Sequence, residues 1–344
     1  MSSAVIHPNN ITPNIHANRP KLFTAKRFVD TKNLSQAEWL EVRRKGIGSS
    51  DCAAACGLNP YMSMLELWMI KTGRMQNQPD QPTQNSYSPL YWGNQIEPLI
   101  ANYYQHKTGH KVRKVNAVLQ HPDPDKHFML ANLDYSVVGC DEVQILECKS
   151  VGEWGTKLWR DGVPLYVIIQ VQHQLAVTGK QAADVAVLIA GQDLQIHRVY
   201  RDEALIAQLI ELEAQFWWHV ENNIPPAADG SDSAAQALQA LFQHDNGHIL
   251  DLTYDADMNA VFDELVTIRN HLDDYKTNES LLKQRIQQTM AEHSHAQFRN
   301  GSVAWKKTAD AKVLDSKTLS QEHPDLVAPY FTTRAGSRRF TVLA

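Results

Sequence analysis

The sequence predicts an α/β fold in which helices flank a mixed central sheet, followed by a C-terminal helical hairpin. Three observations support this. Helical patterns and alternating apolar strand patterns follow one another up to the proline pair at 225–226. The segment ANLDYSVVGCDEVQILECKS, residues 131–150, has the pattern of two strands joined by a tight turn. Beyond the prolines, apolar residues recur at helical spacing from residue 255 to residue 295.

The chain of 344 residues divides into four predicted parts. Residues 1–20 are a flexible N-terminal tail, and residues 21–226 form the core. Residues 227–254 are a linker with a short helix. Residues 255–344 form a hairpin of two helices, broken near 276–279, with short strands at SVAWKK and RRFTVL.

Composition is that of a globular protein, with 43% apolar and 21% charged residues. No apolar run is long enough to cross a bilayer, and the N-terminal segment lacks the pattern of a secretory signal. Four cysteines suit a reducing compartment, so a cytoplasmic location is expected. The net charge of −5 does not indicate a general nucleic-acid binder, but basic residues crowd both ends of the chain and would confine DNA to one groove.

The first half of the core is predicted to be mainly helical. SQAEWLEVRRK has the capping-box spacing of Ser35 and Glu38, and a Gly-Ile-Gly turn leads into a second helix at SSDCAAACG. MLELWMIKTGR is a third helix closed by Gly73, followed by the polar loop MQNQPDQPTQNSYSPL. GNQIEPLIANYYQHKTGH begins a fourth helix, with Pro98 in its first turn.

The second half of the core supplies the strands. Strands over 112–119 precede the hairpin of residues 131–150, and PLYVIIQVQHQLAVTG is a helix closed by Gly179. DVAVLIAG and LQIHRVYR alternate as a strand pair. The long helix ALIAQLIELEAQFWWHVENN ends at Pro225 and Pro226.

The hairpin sets two acids face to face. Either a two-residue or a four-residue loop gives one register, in which Asp134 lies opposite Glu147. Lys149 projects from the same face, whereas the other face is mostly apolar and holds Leu133, Tyr135, Val137, Leu146 and Cys148. Like charges in this position repel, and a divalent cation between the carboxylates would remove the repulsion. The alternative is an ordinary salt bridge from Lys149 to either acid.

These residues carry a resemblance to a known family. Asp134 with Glu147-Cys148-Lys149 is similar to the core of PD-(D/E)xK nucleases, although Leu133 stands where the family name implies proline. The wider pattern resembles phage lambda exonuclease-like proteins, also called YqaJ-type viral recombinases. Four stretches match in order, namely WLEVRRKGIGSSD, YWGNQIEP, the hairpin, and IIQVQHQLAVTG. The resemblance spans about residues 35–225 and implies a restriction-endonuclease-like core.

The resemblance also implies roles for single residues. Asp134 and Glu147 would bind a metal directly, with the backbone carbonyl of Cys148 a further ligand, and Glu97 would complete the metal site. Lys149 would act on the attacking water or the transition state, and Gln170 would help to position it. Without the resemblance, Glu97 is only a favourable charge near a helix N-terminus and Gln170 part of a polar helix face.

The GIGSSD turn is the second candidate site. Glycines allow close approach of the backbone, and a helix N-terminus with serine hydroxyls binds anions. By resemblance, Arg43 and Ser50 would grip the 5′-terminal phosphate of DNA, with Arg44 and Ser49 beside them. The alternative, that the serines only cap a helix, leaves Arg43 and the glycines unexplained.

The activity that the resemblance implies is a Mg²⁺-dependent exonuclease, with Mn²⁺ a substitute. It would digest one strand of linear double-stranded DNA from its 5′ end and leave 3′ single-stranded tails. A homotrimeric ring around the DNA and a single-strand annealing protein as partner are implied in the same way. Two alternatives stay open: a restriction-type endonuclease on the same core, and a non-catalytic DNA-binding recombination accessory protein.

The cysteines carry no metal prediction. Cys52 and Cys56 are one helical turn apart, but Cys140 lies in a tight turn and Cys148 in the strand of the acid pair. This spacing does not fit an iron–sulfur cluster, so the sequence predicts buried free thiols.

Overall fold

The computed structural model describes residues 24–75, 89–333 and 336–343. The predicted tail and most of the predicted polar loop lie outside these residues. The contacts divide the chain into a first unit of residues 1–241 and a second unit of residues 242–344. No helix in the described part of the chain combines the length and the apolar character that a membrane span needs.

A five-stranded mixed sheet organises the first unit. Its strands, in spatial order, are β2 (Lys111–Lys114), β5 (Tyr135–Val138), β6 (Ile145–Val151), β7 (Ala182–Ile189) and β8 (Asp193–Tyr200). β6 and β7 run parallel and the other neighbours run antiparallel. A smaller antiparallel sheet has the order β1 (Lys26–Asp30), β3 (Ala117–Gln120) and β4 (Leu130–Asn132). The predicted mixed sheet is confirmed.

Seven helices in the described part of the first unit surround these sheets. They are α1 (Gln36–Arg44), α2 (Cys52–Ala55), α3 (Met64–Lys71), α4 (Pro89–Thr108), α5 (Leu165–Thr178), α6 (Glu203–Glu221) and α7 (Asp232–Leu241). The capping box at the start of α1 is present in both directions between Ser35 and Glu38. Gly179 ends α5 in the left-handed conformation at φ 68°, as glycine readily does.

The helix that carries Glu97 begins earlier than predicted. α4 starts at Pro89, so Pro98 lies in the interior of the helix and not in its first turn. A proline there removes one backbone donor and normally bends a helix. The prediction was wrong because it took Gly93 as a helix start, whereas the preceding residues continue the helical turn.

Helices cover both faces of the central sheet. Alternate residues of β7 enter different apolar clusters: Val185 and Val187 pack with α2, α5 and α6 residues, whereas Ala182 and Ala186 pack with α4 residues. In β5 and β6, Tyr135, Val137 and Leu146 share one apolar face, as predicted, and this face packs against α4. Leu133, predicted on that same face, packs in the α5-side cluster because it precedes the first residue of β5.

The second unit contains one long helix where the sequence predicted two. α8 runs from Ala256 to Met290 without a break. The predicted break at 276–279 has no glycine or proline to cause it, and an ion pair of 2.6 Å between Lys283 and Glu279 supports the helix there. A hairpin of β9 (His295–Phe298) and β10 (Gly301–Ala304) follows, then α9 (Ser316–Glu322) and α10 (Pro324–Val327). Residues 338–343, predicted as a strand, form none.

Candidate active site

The register of the β5–β6 hairpin is the predicted one. Tyr135 pairs with Leu146 and Ser136 with Ile145. Carried one residue further, the same register sets Asp134 opposite Glu147. Asp134 itself lies just before β5, and its Oδ2 accepts a 2.8 Å hydrogen bond from the backbone N–H of Cys148. The first acid is therefore fixed to the backbone of the strand that carries the second.

Glu147 is held by three side chains. Its side chain is 3% exposed. Its Oε1 accepts hydrogen bonds from Gln170 Nε2 at 2.6 Å and pairs with Lys149 Nζ at 2.7 Å, and its Oε2 accepts from Gln174 Nε2 at 2.7 Å. Lys149 Nζ also donates to Gln170 Oε1 at 2.8 Å. The structure thus places Gln170 against both Lys149 and Glu147.

Gln174 was missed in the sequence analysis. It lies one turn after Gln170 on α5, and its Nε2 also donates to the carbonyl of Asn132 at 3.3 Å. The available signal was the i, i+4 spacing of Gln170 and Gln174, which sets both side chains on one face of a mostly apolar helix.

The electrostatics of the hairpin show the repulsion that the sequence predicted. Burial and, after it, the charge of Glu147 raise the pKa of Asp134 well above its usual range. In the described part of the chain, Asp134 has no ion-pair partner within 4.0 Å, whereas Glu147 has Lys149. Burial lowers the pKa of Lys149, but the Glu147 and Asp134 carboxylates outweigh burial, so its pKa is raised. Lys149 is therefore charged at neutral pH.

Glu97 lies near this pair without joining it in a compact cluster. Its Oε1 accepts a 2.7 Å hydrogen bond from Lys114 Nζ. Its charge contributes to raising the pKa of both Asp134 and Cys148. Glu97 therefore shares one electrostatic environment with Asp134 and Glu147. Among the described residues, however, ligand atoms of the three acids do not all lie within 4.8 Å of one another.

The Gly-Ile-Gly turn packs against β4. Ile47 N–H donates to the carbonyl of Phe128 at 2.7 Å, and Leu130 N–H donates to the carbonyl of Ile47 at 2.9 Å. A Cβ on Gly46 would lie 2.5 Å from the Phe128 carbonyl oxygen, so glycine is needed there for close approach. The turn is thereby fixed to the strand that leads into Asp134.

Behind this turn lies a network of buried charges. Arg43 Nη2 donates to Ser50 Oγ at 3.2 Å and forms an ion pair with Asp51. Lys71 Nζ binds Asp51 Oδ2 at 2.6 Å and the carbonyl of Arg43 at 2.7 Å. Burial favours the neutral carboxyl of Asp51, but Arg43 and Lys71 outweigh it and hold its pKa well below the usual range.

The predicted phosphate-binding residues differ in their surroundings. The hydroxyl of Ser49 is buried and has no hydrogen-bond partner among the residues that the structure describes. Arg44 pairs with Glu41 at 2.6 Å and does not join the Asp51 network. Asp51 stands at the N-cap of α2, yet its side chain makes no capping hydrogen bond and binds the two cations. Asp51 and Lys71 were missed in the sequence analysis because Lys71 comes from a different helix.

A second buried cluster joins α2, α5, α6 and β4. Glu213 Oε1 accepts a hydrogen bond from Cys52 Sγ at 2.8 Å and lies 2.8 Å from His173 Nδ1, while His173 Nε2 is 2.8 Å from the carbonyl of Leu130. Cys52, His173 and Glu213 form the one group of metal-ligand type with atoms mutually within 4.8 Å in the described residues. Their separations are those of direct hydrogen bonds. All four cysteines are free, and Cys52 and Cys56 are buried.

Comparison with known proteins identifies the family. Residues 38–181 match the YqaJ-like viral recombinase domain. The chain is 33% identical over 312 residues to the uncharacterized protein YqaJ of Bacillus subtilis (strain 168), a match that covers 88% of this chain and 94% of that protein. The chain belongs to the YqaJ-like viral recombinase family. This confirms the resemblance drawn from the hairpin and the GIGSSD turn, and supports the general prediction of a nuclease of recombination.

Two solved structures are also similar to about half of the chain. An alkaline exonuclease from Laribacter hongkongensis is 25% identical, with a TM-score of 0.44 and coverage of 55% of this chain and 94% of that chain. A phage-related exonuclease from Haemophilus somnus 129PT is 10% identical, with a TM-score of 0.37 and coverage of 54% and 99%.

Proposed function

We propose that this protein is a metal-dependent exonuclease that digests one strand of linear double-stranded DNA from its 5′ end. The observation that carries the proposal is the arrangement of Lys149, Gln170 and Glu147 opposite Asp134 at the end of the hairpin. A charged lysine beside a facing pair of carboxylates can hold a metal and stabilise the negative charge that develops when a phosphodiester is hydrolysed. A binding protein without activity would gain nothing from a repulsive acid pair.

The residues present fit a hard divalent cation. The donors are carboxylate oxygens of Asp134, Glu147 and Glu97 and the backbone carbonyl of Cys148, which suit Mg²⁺ and also Mn²⁺. Among these donors, Asp134 argues most strongly for a metal, since its charge has no cation partner among the described residues. When bound, such a metal lowers the pKa of water from about 15.7 towards neutrality and stabilises charge on the phosphate.

The protein's own side chains position the site's charged groups and stabilise the negative charge that develops on the phosphate. Lys149 keeps its proton at neutral pH and presents a positive charge where negative charge develops on the attacked phosphate. Gln170 accepts a hydrogen bond from Lys149 and donates one to Glu147. It therefore fixes the distance between the Lys149 ammonium and the Glu147 carboxylate. Gln174 restrains the other oxygen of Glu147.

Replacing Gln170 by leucine tests this positioning role. We expect a fall in the cleavage rate of about 10- to 100-fold with little change in thermal stability, because Lys149 and Glu147 lose a shared partner but keep their own ion pair. Gln172→Leu is the matched control, since Gln172 binds the Tyr200 carbonyl and the Asp202 N–H away from the acids. That control should lower stability and keep the rate. Equal loss of rate in both variants would contradict the assignment.

Recognition of the 5′ end is proposed for the GIGSSD turn. Arg43 and Ser50 are already hydrogen-bonded to each other, and the buried hydroxyl of Ser49 beside them lacks a partner in the described part of the chain. Asp51 and Lys71 fix the position of Arg43 from behind. A terminal phosphate would accept hydrogen bonds from the Arg43 guanidinium and the serine hydroxyls.

The Arg43→Ala variant tests the phosphate contact. We expect the rate preference for 5′-phosphorylated over 5′-hydroxyl duplex ends to fall at least about tenfold, because a charge-assisted contact to the phosphate is lost. Comparing two substrates with one enzyme removes any effect of the substitution on folding. Arg44→Ala should keep the preference, since Arg44 is paired with Glu41. A preference lost only in Arg44→Ala would move the phosphate contact to that residue.

The products and partners follow from this activity. Digestion of one strand leaves 3′ single-stranded tails, which a single-strand annealing protein would bind during homologous recombination in the cytoplasm. A homotrimeric ring around DNA, with Mg²⁺ at each site, is proposed from the family resemblance.

The direction of digestion is tested with linear duplex DNA labelled at either the 5′ or the 3′ end of one strand. With Mg²⁺ and an end-phosphorylated substrate, we expect early release of the 5′ label as mononucleotide while the 3′ label stays in long fragments. Closed circular DNA is the control and should remain intact. A cut circle would instead assign a restriction-type endonuclease, and binding without cleavage would assign an accessory DNA-binding protein.

A further inference from the structure

The long helix α8 leaves an apolar stripe uncovered in the second unit. Its 35 residues rise about 52 Å, and Met290 is the one buried residue along it. Most of its large apolar side chains are between 44% and 70% exposed: Met258, Val261, Phe262, Ile268, Leu272, Tyr275, Leu281 and Leu282. A single helix gains little stability in water from its own hydrogen bonds, so such a stripe calls for a packing partner.

The stripe has the seven-residue period of a coiled coil. Assigning position a to Met258 gives a residues Met258, Leu265, Leu272, Glu279 and Ile286, and d residues Val261, Ile268, Tyr275, Leu282 and Thr289. All are apolar except Glu279 and Thr289. A period of 3.5 residues sustained over this length is typical of helices that pack along their whole length on another helix.

The distribution of charged residues along α8 indicates which partner helix fits the stripe and in which direction that helix runs. The first turns of α8 carry the acids Asp257, Asp263 and Glu264, preceded by Asp255, whereas the last turns carry Lys283 and Arg285. A parallel copy in register would set Glu279 against Glu279 at an a position of the interface. An antiparallel copy sets the acidic end against the basic end, so the helix is complementary to itself.

The register supports the same arrangement. When two copies of α8 overlap antiparallel over their full length, a positions meet d positions: Leu265 lies opposite Leu282, and Leu272 opposite Tyr275. Glu279 then faces Ile268 and keeps its own partner Lys283 at 2.6 Å. We propose that α8 forms a two-stranded antiparallel coiled coil with the α8 of a second copy of this chain.

The mass of the full-length protein in solution tests the contact. We expect Leu272→Glu to halve the mass measured by light scattering or sedimentation, because the substitution puts a charge in the central layer. Thr277→Glu adds the same charge on the outward face and should leave the mass unchanged. The measurement needs neither DNA nor a metal, so its result is independent of the proposed nuclease activity. A mass that Leu272→Glu does not change would overturn the proposal.

Disulfide trapping tests the direction of the two helices without weakening the contact. Mixed and oxidised, chains carrying Leu265→Cys and chains carrying Leu282→Cys should cross-link to each other, since these positions oppose one another in the antiparallel pair. Leu265→Cys alone should not cross-link to itself, and the wild type controls for the four native cysteines. Self-cross-linking of Leu265→Cys would indicate a parallel pair and overturn the antiparallel arrangement.

Discussion

Asp134→Asn is expected to stabilise the metal-free protein and to abolish DNA cleavage. Asp134 is a half-buried acid without an ion-pair partner in the described residues, facing the carboxylate of Glu147. The neutral amide keeps an oxygen that can accept the Cys148 N–H and removes the repulsion. We expect the free energy of unfolding in EDTA to rise by about 1 kcal/mol or more, while the cleavage rate with Mg²⁺ falls at least about 10³-fold.

The sign of the stability change follows from proton linkage. A carboxyl whose pKa is higher in the folded than in the unfolded protein favours folding at low pH, and that contribution is lost as pH rises through the folded-state pKa. The raised pKa of Asp134 therefore predicts that the advantage of Asp134→Asn grows from about pH 4 upwards in EDTA. Denaturant unfolding at several pH values measures it.

Asp141→Asn is the matched control, because Asp141 is exposed in the turn of the same hairpin. It should change neither stability nor cleavage appreciably. A metal-free Asp134→Asn protein less stable than the wild type would show that Asp134 serves the fold, and the metal assignment would lose its physical basis.

Asp51→Asn is expected to be among the most destabilising single substitutions in the first unit. Asp51 neutralises Lys71, whose side chain is 2% exposed, and also binds Arg43. Removing the carboxylate leaves a buried ammonium without its partner, which costs about 3–5 kcal/mol. Adding Lys71→Met to Asp51→Asn should recover most of the loss, since the uncompensated charge is gone and Arg43 can reach water. Equilibrium denaturation of the three variants measures both changes.

The pH dependence of this second effect has the opposite sign to that of Asp134. The pKa of Asp51 is held below its usual range, so its contribution to stability is present above the unfolded-state pKa and is lost as pH falls through the folded-state pKa. The difference between wild type and Asp51→Asn should be full above about pH 5 and shrink below about pH 4. Asp30→Asn, which removes an exposed pair with Arg27, should have little effect at any pH. A double variant as unstable as Asp51→Asn alone would show that the loss of stability does not come from the unpaired charge of Lys71.

The hairpin shows what the sequence could predict. Its register depends only on the two-residue period of strands and on a short turn, so Asp134 and Glu147 were placed opposite one another from local information. The Ser35 capping box was equally local. The α/β fold class followed from the alternation of helical and strand patterns.

Contacts between distant segments were harder to predict. Lys71 meets Asp51 from another helix, and Glu213 meets Cys52 across the core, so no sequence spacing indicates either pair. The predicted break in α8 was wrong because polar residues alone do not end a helix; the capped, ion-paired helix continues through them. Pro98 was misplaced for a related reason, since a helix interior can hold a proline where other contacts support it.

Binding of Mn²⁺ measured by electron paramagnetic resonance tests the central claim, that Asp134 and Glu147 face each other in order to hold a divalent cation. We predict that the wild type binds Mn²⁺, that Asp134→Asn and Glu147→Gln lose this binding, and that Mg²⁺ competes for the site. Glu213→Gln alters the buried Cys52–His173–Glu213 group and should leave Mn²⁺ binding intact. Binding that survives in Asp134→Asn and Glu147→Gln but disappears in Glu213→Gln would contradict the claim and place the metal in the buried cluster.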